Sequence, residues 1–307
     1  MKPRVLVVIA LGGNAFTRPG RPIDQEEHLR NIEIAADVIA KIVEEGHRVV
    51  VTHGNGPQVG LLDELQLAAE RRYFKLDALV AATQGLLGYL LALSIDKRLG
   101  LGRAVAVVTR ALVDEGDPAF KNPTKFVGPA YPKDVAEELA KRYGWVVKQD
   151  AARGWRRVVP SPDPAALVEI EAIRALAERG HVVIAAGGGG VPVSRQGGLE
   201  AVVDKDLASQ VLANALGADA LLILTDVDGV YIDFNTPRRR KLDIVTAKEL
   251  EELYKAGQFP AGSMGPKVLA AIRFVRNGGK WAAIGALEEG YGVFKRRRGT
   301  LVVTEPL

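Results

Sequence analysis

Three lysines in this 307-residue chain stand in settings unlike those of ordinary surface lysines. Lys205 lies in Asp204-Lys205-Asp206, just ahead of a helical pattern. Lys267 follows Gly262-Ser263-Met264-Gly265-Pro266, again at a helix start. A helix N-terminus attracts anions. A cation there adds attraction for phosphate, provided a nearby carboxylate offsets its own repulsion from the helix end. Asp204 and Asp206 can supply that carboxylate, and Asp206 is at the same time a candidate N-cap. The third lysine, Lys125, lies in Asn122-Pro123-Thr124-Lys125-Phe126-Val127-Gly128-Pro129. Glycine-rich turns close several apolar runs: Gly12-Gly13-Asn14, Gly54-Asn55-Gly56, Gly187 to Gly190, and the turn around Gly229. In an open α/β sheet, ligands bind beyond the carboxyl ends of the strands. Glycine there lets backbone N–H groups approach a phosphate. Lysines and backbone donors, with Mg²⁺, are what phosphoryl transfer uses, because its catalysis is positioning plus charge stabilisation.

Other chemistries lack their residues. No G-x-x-x-x-G-K-[ST] motif occurs. Gly54 and Gly56 begin a dinucleotide-like pattern, but Gly60 is displaced from its last position. No G-x-S-x-G elbow is present. The histidines His28, His47, His53 and His181 form no zinc-ligand spacing. The absence of cysteine excludes disulfides, zinc-thiolate sites, iron–sulfur clusters and a thiol nucleophile. A net charge of +4 suits an anionic ligand and is too weak to point to nucleic acid. Arg238-Arg239-Arg240 and the run Lys295 to Arg298 lack interleaved aromatics and read as solvated surface.

The elements that must position these residues alternate strand and helix. Val5–Leu11, Arg48–Thr52, Ala104–Val108, Val182–Ala186 and Ala220–Leu224 read as strands buried on both faces. Trp281–Ala286 and Thr300–Val303 read as late strands. Helices are expected over His28–Glu45, Pro164–Arg179, Asp206–Leu216 and Lys267–Arg276. The result is an α/β chain with a mostly parallel sheet covered on both faces. The apolar run Gly85–Ile95 is shorter than the roughly 20 residues that span a bilayer and reads as a core helix. With no export segment standing out, a cytoplasmic protein is expected. From about 114 to 162 the rhythm breaks into Pro, Lys, Arg and aromatic residues. That segment is read as an inserted subdomain or lid, because so long a structureless loop is improbable.

Taken in order, several motifs together resemble carbamate kinase, of the amino acid kinase fold. They are Leu11-Gly12-Gly13-Asn14-Ala15, the run from Thr52 to Gly60, Asn122-Pro123-Thr124-Lys125, Gly154 to Pro162, and Ala186 to Pro192. Val203-Asp204-Lys205-Asp206, Leu224 to Gly229 and Gly262 to Lys267 continue the series. The resemblance spans nearly the whole chain. It implies a three-layer αβα sandwich and reversible phosphoryl transfer from ATP to carbamate, with Mg²⁺ carried by the nucleotide. It also implies a homodimer. The N-terminal lobe, about 1–200, is then expected to hold carbamate under the insert at about 114–162, and the lobe at about 201–307 to hold the nucleotide. By the same resemblance Gly12, Gly13, Asn14, Gly54 and Asn55 surround carbamate and the transferred group. Lys125 reaches the carbamate side, Lys205 and Lys267 stabilise the phosphoryl, and Asp206 orients them. Asp226, Tyr231 and Met264 fall on the nucleotide side. Lys75, Phe126 and Ala130 depart from the family pattern, which bears on packing of the insert. Another amino acid kinase would carry a different insert. A non-catalytic nucleotide or anion binder would have lost the lysines.

Overall fold

The computed structural model describes residues 4–17, 20–150 and 154–305, apart from the side chain of Asn14. The chain opens with β1 (Leu6–Leu11), whose six residues are all buried. Asp24 caps α1 (Gln25–Glu44) by accepting the Glu27 amide at 2.8 Å, which is why this helix starts before His28. Next come β2 (Arg48–His53), α2 (Gly56–Ala68), α3 (Leu76–Leu99), β3 (Ala104–Ala106) and β4 (Arg110–Val113). The insert follows as β5 (Lys125–Tyr131), α4 (Lys133–Tyr143), β6 (Val146–Asp150) and β7 (Gly154–Val159). The chain returns through β8 (Pro164–Leu167), α5 (Ile170–Glu178), β9 (Val182–Ile184), β10 (Val191–Ser194) and β11 (Gly197–Gly198). The last part holds α6 (Lys205–Leu216), β12 (Ala220–Thr225), β13 (Val230–Ile232), β14 (Arg240–Leu242), β15 (Ile244–Thr246) and α7 (Ala247–Lys255). It ends with α8 (Met264–Arg276), β16 (Trp281–Ala286), α9 (Gly290–Phe294) and β17 (Thr300–Val303).

The main sheet runs β15-β17-β16-β12-β1-β2-β9-β3. Its pairs are parallel except β16 with β17. Because side chains alternate along a strand, β1 sends Val7, Ile9 and Leu11 to one face and Leu6, Val8 and Ala10 to the other. The first set packs with α1, α3 and α9. The second packs with helices α5, α6, α7 and α8. Two cores on one sheet make the αβα sandwich.

The insert is a three-stranded antiparallel sheet, β5-β7-β6, packed with α4. A second small sheet, β11-β10-β4-β8, stands beside the main one. Its strand β8 corrects the helix expected from Pro164. Pro164 and Leu167 pair with Val113 and Ala111 of β4, and only after Glu169 does α5 begin. A proline is tolerated at the first residue of an edge strand, and pairing overrides the helix preference of Ala165 and Ala166. The apolar run at Gly85–Ile95 is part of a longer helix than expected. By length and composition α3 could cross a membrane, yet Leu87, Leu90, Leu91 and Ile95 are fully buried in the core.

Candidate active site

The carboxyl ends of β1, β2 and β12 meet the N-termini of α6 and α8 in one cleft. Asp204, not Asp206, is the N-cap of α6. Its Oδ1 accepts the amides of Asp206 at 2.9 Å and Leu207 at 3.4 Å. Capping by the neighbour leaves both oxygens of Asp206 to the lysines. Lys205 Nζ donates to Oδ1 at 2.5 Å and Lys267 Nζ to Oδ2 at 2.9 Å. Lys267 reaches it from the first turns of α8, a different helix.

The Asp206 carboxylate is 3% exposed, and Lys205 and Lys267 are 13% and 15% exposed. Burial alone would raise the Asp206 carboxyl, but the two ammonium groups hold it down at about 2. Burial pushes the Lys205 ammonium below its usual range, assisted by repulsion from Lys267 and opposed by Asp206. The trio carries one net positive charge in a desolvated place, where that charge acts strongly on an anion.

Lys125, at the start of β5, donates to the other oxygen of Asp204, Oδ2, at 3.0 Å. It is 37% exposed, far more than the other two lysines. One short peptide, Asp204 to Asp206, therefore touches all three. Asn55 is buried, and its amide donates to Thr83 Oγ1 at 2.9 Å.

The glycines do not all act as expected. The amides of Gly12 and Gly54 are already used, donating to Leu224 O at 2.8 Å and Leu11 O at 3.1 Å. What Gly54 provides is closeness: a Cβ there would stand 3.2 Å from Gly13 N and 3.6 Å from Lys205 Cδ. Gly13 has open space where a side chain would project. The four-glycine turn is a packing platform. A Cβ on Gly188 would lie 2.2 Å from the Asn55 amide, and one on Gly187 2.6 Å from the His53 ring. His53 is buried edge-on against Phe16 with Nδ1 3.0 Å from Gly54 O. Burial drives its pKa down to about 4, so it is a neutral support for the loop.

A cavity of about 440 Å³ opens beyond β12. Asp226, Tyr231, Met264 and Lys267 all line it, as do Phe234 and Arg239. Arg239 is solvent-exposed, in keeping with the solvated-surface reading of its arginine run, and its side chain borders this cavity. Its guanidinium lies 4.1 Å from the Tyr231 ring centre and 4.6 Å from that of Phe234. The β13–β14 hairpin creates this stack by folding Arg240 opposite Ile232. No spacing in the sequence signals it, because the hairpin loop is irregular. Tyr231 also donates its hydroxyl to Asp228 at 2.9 Å. A second cavity, about 380 Å³, lies between the start of α2 and the insert. Asn55, Val59, Lys125, Phe126 and Arg156 are among its walls.

Among the described residues there is no cluster of three acidic or imidazole groups able to cage a metal. Both Asp206 oxygens are taken by lysines. The described residues thus offer no cage of their own for a divalent ion; Asp226 and Asp228 are the carboxylates in the wall of the larger cavity, and Asp228 already accepts from Tyr231 and Lys241. Cationic groups at two helix N-termini beside a cavity are suited to gripping an anionic group between two ligands.

The amino acid kinase family model matches residues 5–285. A carbamate kinase of Pyrococcus horikoshii is 48% identical over 308 residues, covering 96% of this chain and 98% of that one. The carbamate kinase of Escherichia coli K12 is 44% identical over 298 residues, covering 96% and 98%. Among solved structures, the carbamate kinase of Giardia lamblia bound to AMP-PNP matches at a TM-score of 0.91 and 41% identity, over 99% of each chain.

Proposed function

The chain belongs to the carbamate kinases of the amino acid kinase family, and on that premise we propose that it transfers a phosphoryl group reversibly between ATP and carbamate, giving ADP and carbamoyl phosphate by direct in-line displacement. The observation that carries the mechanism is that one buried carboxylate, Asp206, holds two lysines, one of which also lines the larger cavity. That cavity takes the nucleotide, with Asp226, Tyr231 and Met264 in its wall. Carbamate lies toward Gly12, Gly13, Gly54 and Asn55, with Asn14 in the same turn and Lys125 reaching over from the insert.

Carbamate arrives already ionised, so the attacking oxygen has no proton to lose and no general base is required. That oxygen forms a bond to the γ-phosphorus as the bond to the ADP oxygen breaks. Charge spreads over the peripheral phosphoryl oxygens. Lys205 and Lys267 meet that charge from positions set in advance by Asp206, which spares reorganisation during the reaction. Lys125 offsets the charge of the acceptor. Mg²⁺ held by the nucleotide phosphates would neutralise part of their charge. The insert serves as the lid of the carbamate lobe, and 201–307 as the nucleotide lobe. The reading includes a cytoplasmic homodimer. In its support, Leu65, Phe74, Leu86 and Tyr89, on and beside α2 and α3, are exposed apolar side chains.

The test is ATP formation from ADP, Mg²⁺ and fresh carbamoyl phosphate. Wild-type protein is expected to form ATP, and Lys205→Ala to lose about 10²–10³ of that rate. A folded wild type that forms none overturns the reading. Recovery of a phosphorylated protein from labelled ATP without acceptor would overturn direct transfer.

A further inference from the structure

The insert is joined to the scaffold by a charged seam set apart from the lysines. Arg157, on β7, is buried to 4% exposure. It donates to Asp63 of α2 at 3.2 Å and to Glu200 at 3.0 Å. Glu200 also accepts from Arg72 at 3.0 Å and from the Leu76 amide at 3.3 Å. Trp145, from the insert, has the Arg157 guanidinium 4.6 Å and the Arg72 guanidinium 5.6 Å from its ring centre. Arginine suits such a place, since its planar fork grips carboxylates and stacks on a ring together.

Two further bonds place this seam next to the chemistry. Glu200 lies four residues before Asp204. Between them the Val202 amide donates to Pro160 O, at the exit of the insert, at 3.0 Å. At Asp204 itself, Lys125 makes its ion pair. The insert thus meets the segment 200–204 at three successive points. In the antiparallel ladder Arg157 stands opposite Val127, and Val159 stands opposite Lys125. A shift at Arg157 must pass through a short, paired stretch of strand to Lys125.

We propose that Arg157 is a positioning residue for the acceptor side of the reaction: by clamping the insert to Asp63 and Glu200 it sets where Lys125 stands relative to Asp204. The inference rests on the reading of Lys125 given above. It predicts a selective defect. A group misplaced by about 1 Å loses on the order of 100-fold, and here the loss falls on the acceptor. Lys267, Tyr231 and Met264 sit on other elements and keep their places.

The experiment measures ATP formation by wild type, Arg157→Met, Arg157→Lys, Glu200→Gln, Lys125→Met and the Arg157→Met/Lys125→Met double variant, varying carbamoyl phosphate and ADP separately. Arg157→Met is expected to raise KM for carbamoyl phosphate about 10- to 100-fold, with KM for ADP changed less than about twofold. Arg157→Lys restores charge without the fork and gives an intermediate value. The double variant is expected to be no worse than Lys125→Met alone, since Arg157 acts through Lys125. Equal rises in both KM values, or losses that multiply in the double variant, would overturn the proposal. Should Arg157→Met not fold, Glu200→Gln decides, because Glu200 is 38% exposed and tolerates a polar replacement. It is expected to shift KM for carbamoyl phosphate in the same direction, and an unchanged value overturns the proposal. A wild type without activity defeats the underlying reading instead. An active wild type with unaffected Arg157→Met defeats this inference alone.

Discussion

The two carboxylates that flank Lys205 invite comparison. Asp206 is nearly sealed, with both oxygens on lysines from two scaffold helices, one of which, Lys267, lines the larger cavity. Asp204 faces the insert, caps α6 with one oxygen and holds the half-exposed Lys125 with the other. The difference is one of rigidity. Around Asp206 the charges are desolvated and locked to α6 and α8, as a preorganised electrostatic site requires. Around Asp204 one partner belongs to a separate small sheet whose place depends on Arg157 and its partners. On the proposed mechanism, phosphoryl stabilisation would rest on the scaffold, whereas the contact to the small acceptor would be left to a part joined by ion pairs.

The sharpest challenge to that contrast is to neutralise each carboxylate in turn. Asp206→Asn leaves two buried ammonium groups facing each other, so ATP formation is expected to fall by about 10²–10³. Asp204→Asn keeps the helix cap, since Asn caps as well as Asp, and loses the charge pair with Lys125. A loss of about tenfold, carried by KM for carbamoyl phosphate, is expected there. Equal losses in the two variants would dissolve the distinction.

A smaller effect comes from acid. The His53 pKa is lowered from 6.5 to about 4 in the fold, so the unfolded chain binds the extra proton first. His53 therefore contributes its full stability above pH 6.5 and loses it as pH falls toward 4. Asp206, depressed from 3.8 to about 2, contributes fully above about pH 3.8 and loses its share only as pH falls through 2. Thermal melts from pH 7 to 4 are expected to show a falling Tm in wild type and a flatter profile in His53→Gln. The same slope in both would remove His53 from the account.

The smallest effect is at the rim of the larger cavity, proposed above to take the nucleotide. Arg239→Ala removes a cation–π stack worth about 0.5–1 kcal/mol at an exposed site. A few-fold rise in KM for ADP is expected, with KM for carbamoyl phosphate unchanged. A change on the acceptor side would show that the two cavities are coupled.

Much of the scaffold was legible in advance because burial on both faces imposes continuous apolar runs. Trp281–Ala286 and Thr300–Val303 match their strands end to end. Where an element is decided by a distant neighbour, the reading failed. Pro164–Leu167 is a strand because β4 is there to pair with it. Asp206 lost the cap to Asp204 because a side chain nearer the helix start reached the free amides. Lys125, Lys205 and Lys267 stood out by their local setting, but Arg157 and Arg239 did not. Their meaning depends on a ring or a carboxylate delivered by another part of the chain.

The sequence by itself determined the αβα layering, the helix starts that draw anions, and the three lysines, since each follows from periodicity, capping chemistry or a contiguous motif. Tertiary structure alone decided that Asp206 serves two lysines, that the glycine run underlies His53 and Asn55, and that Arg157 ties the insert down. These depend on side chains converging from distant segments, and no local pattern of residues encodes a distance across the fold.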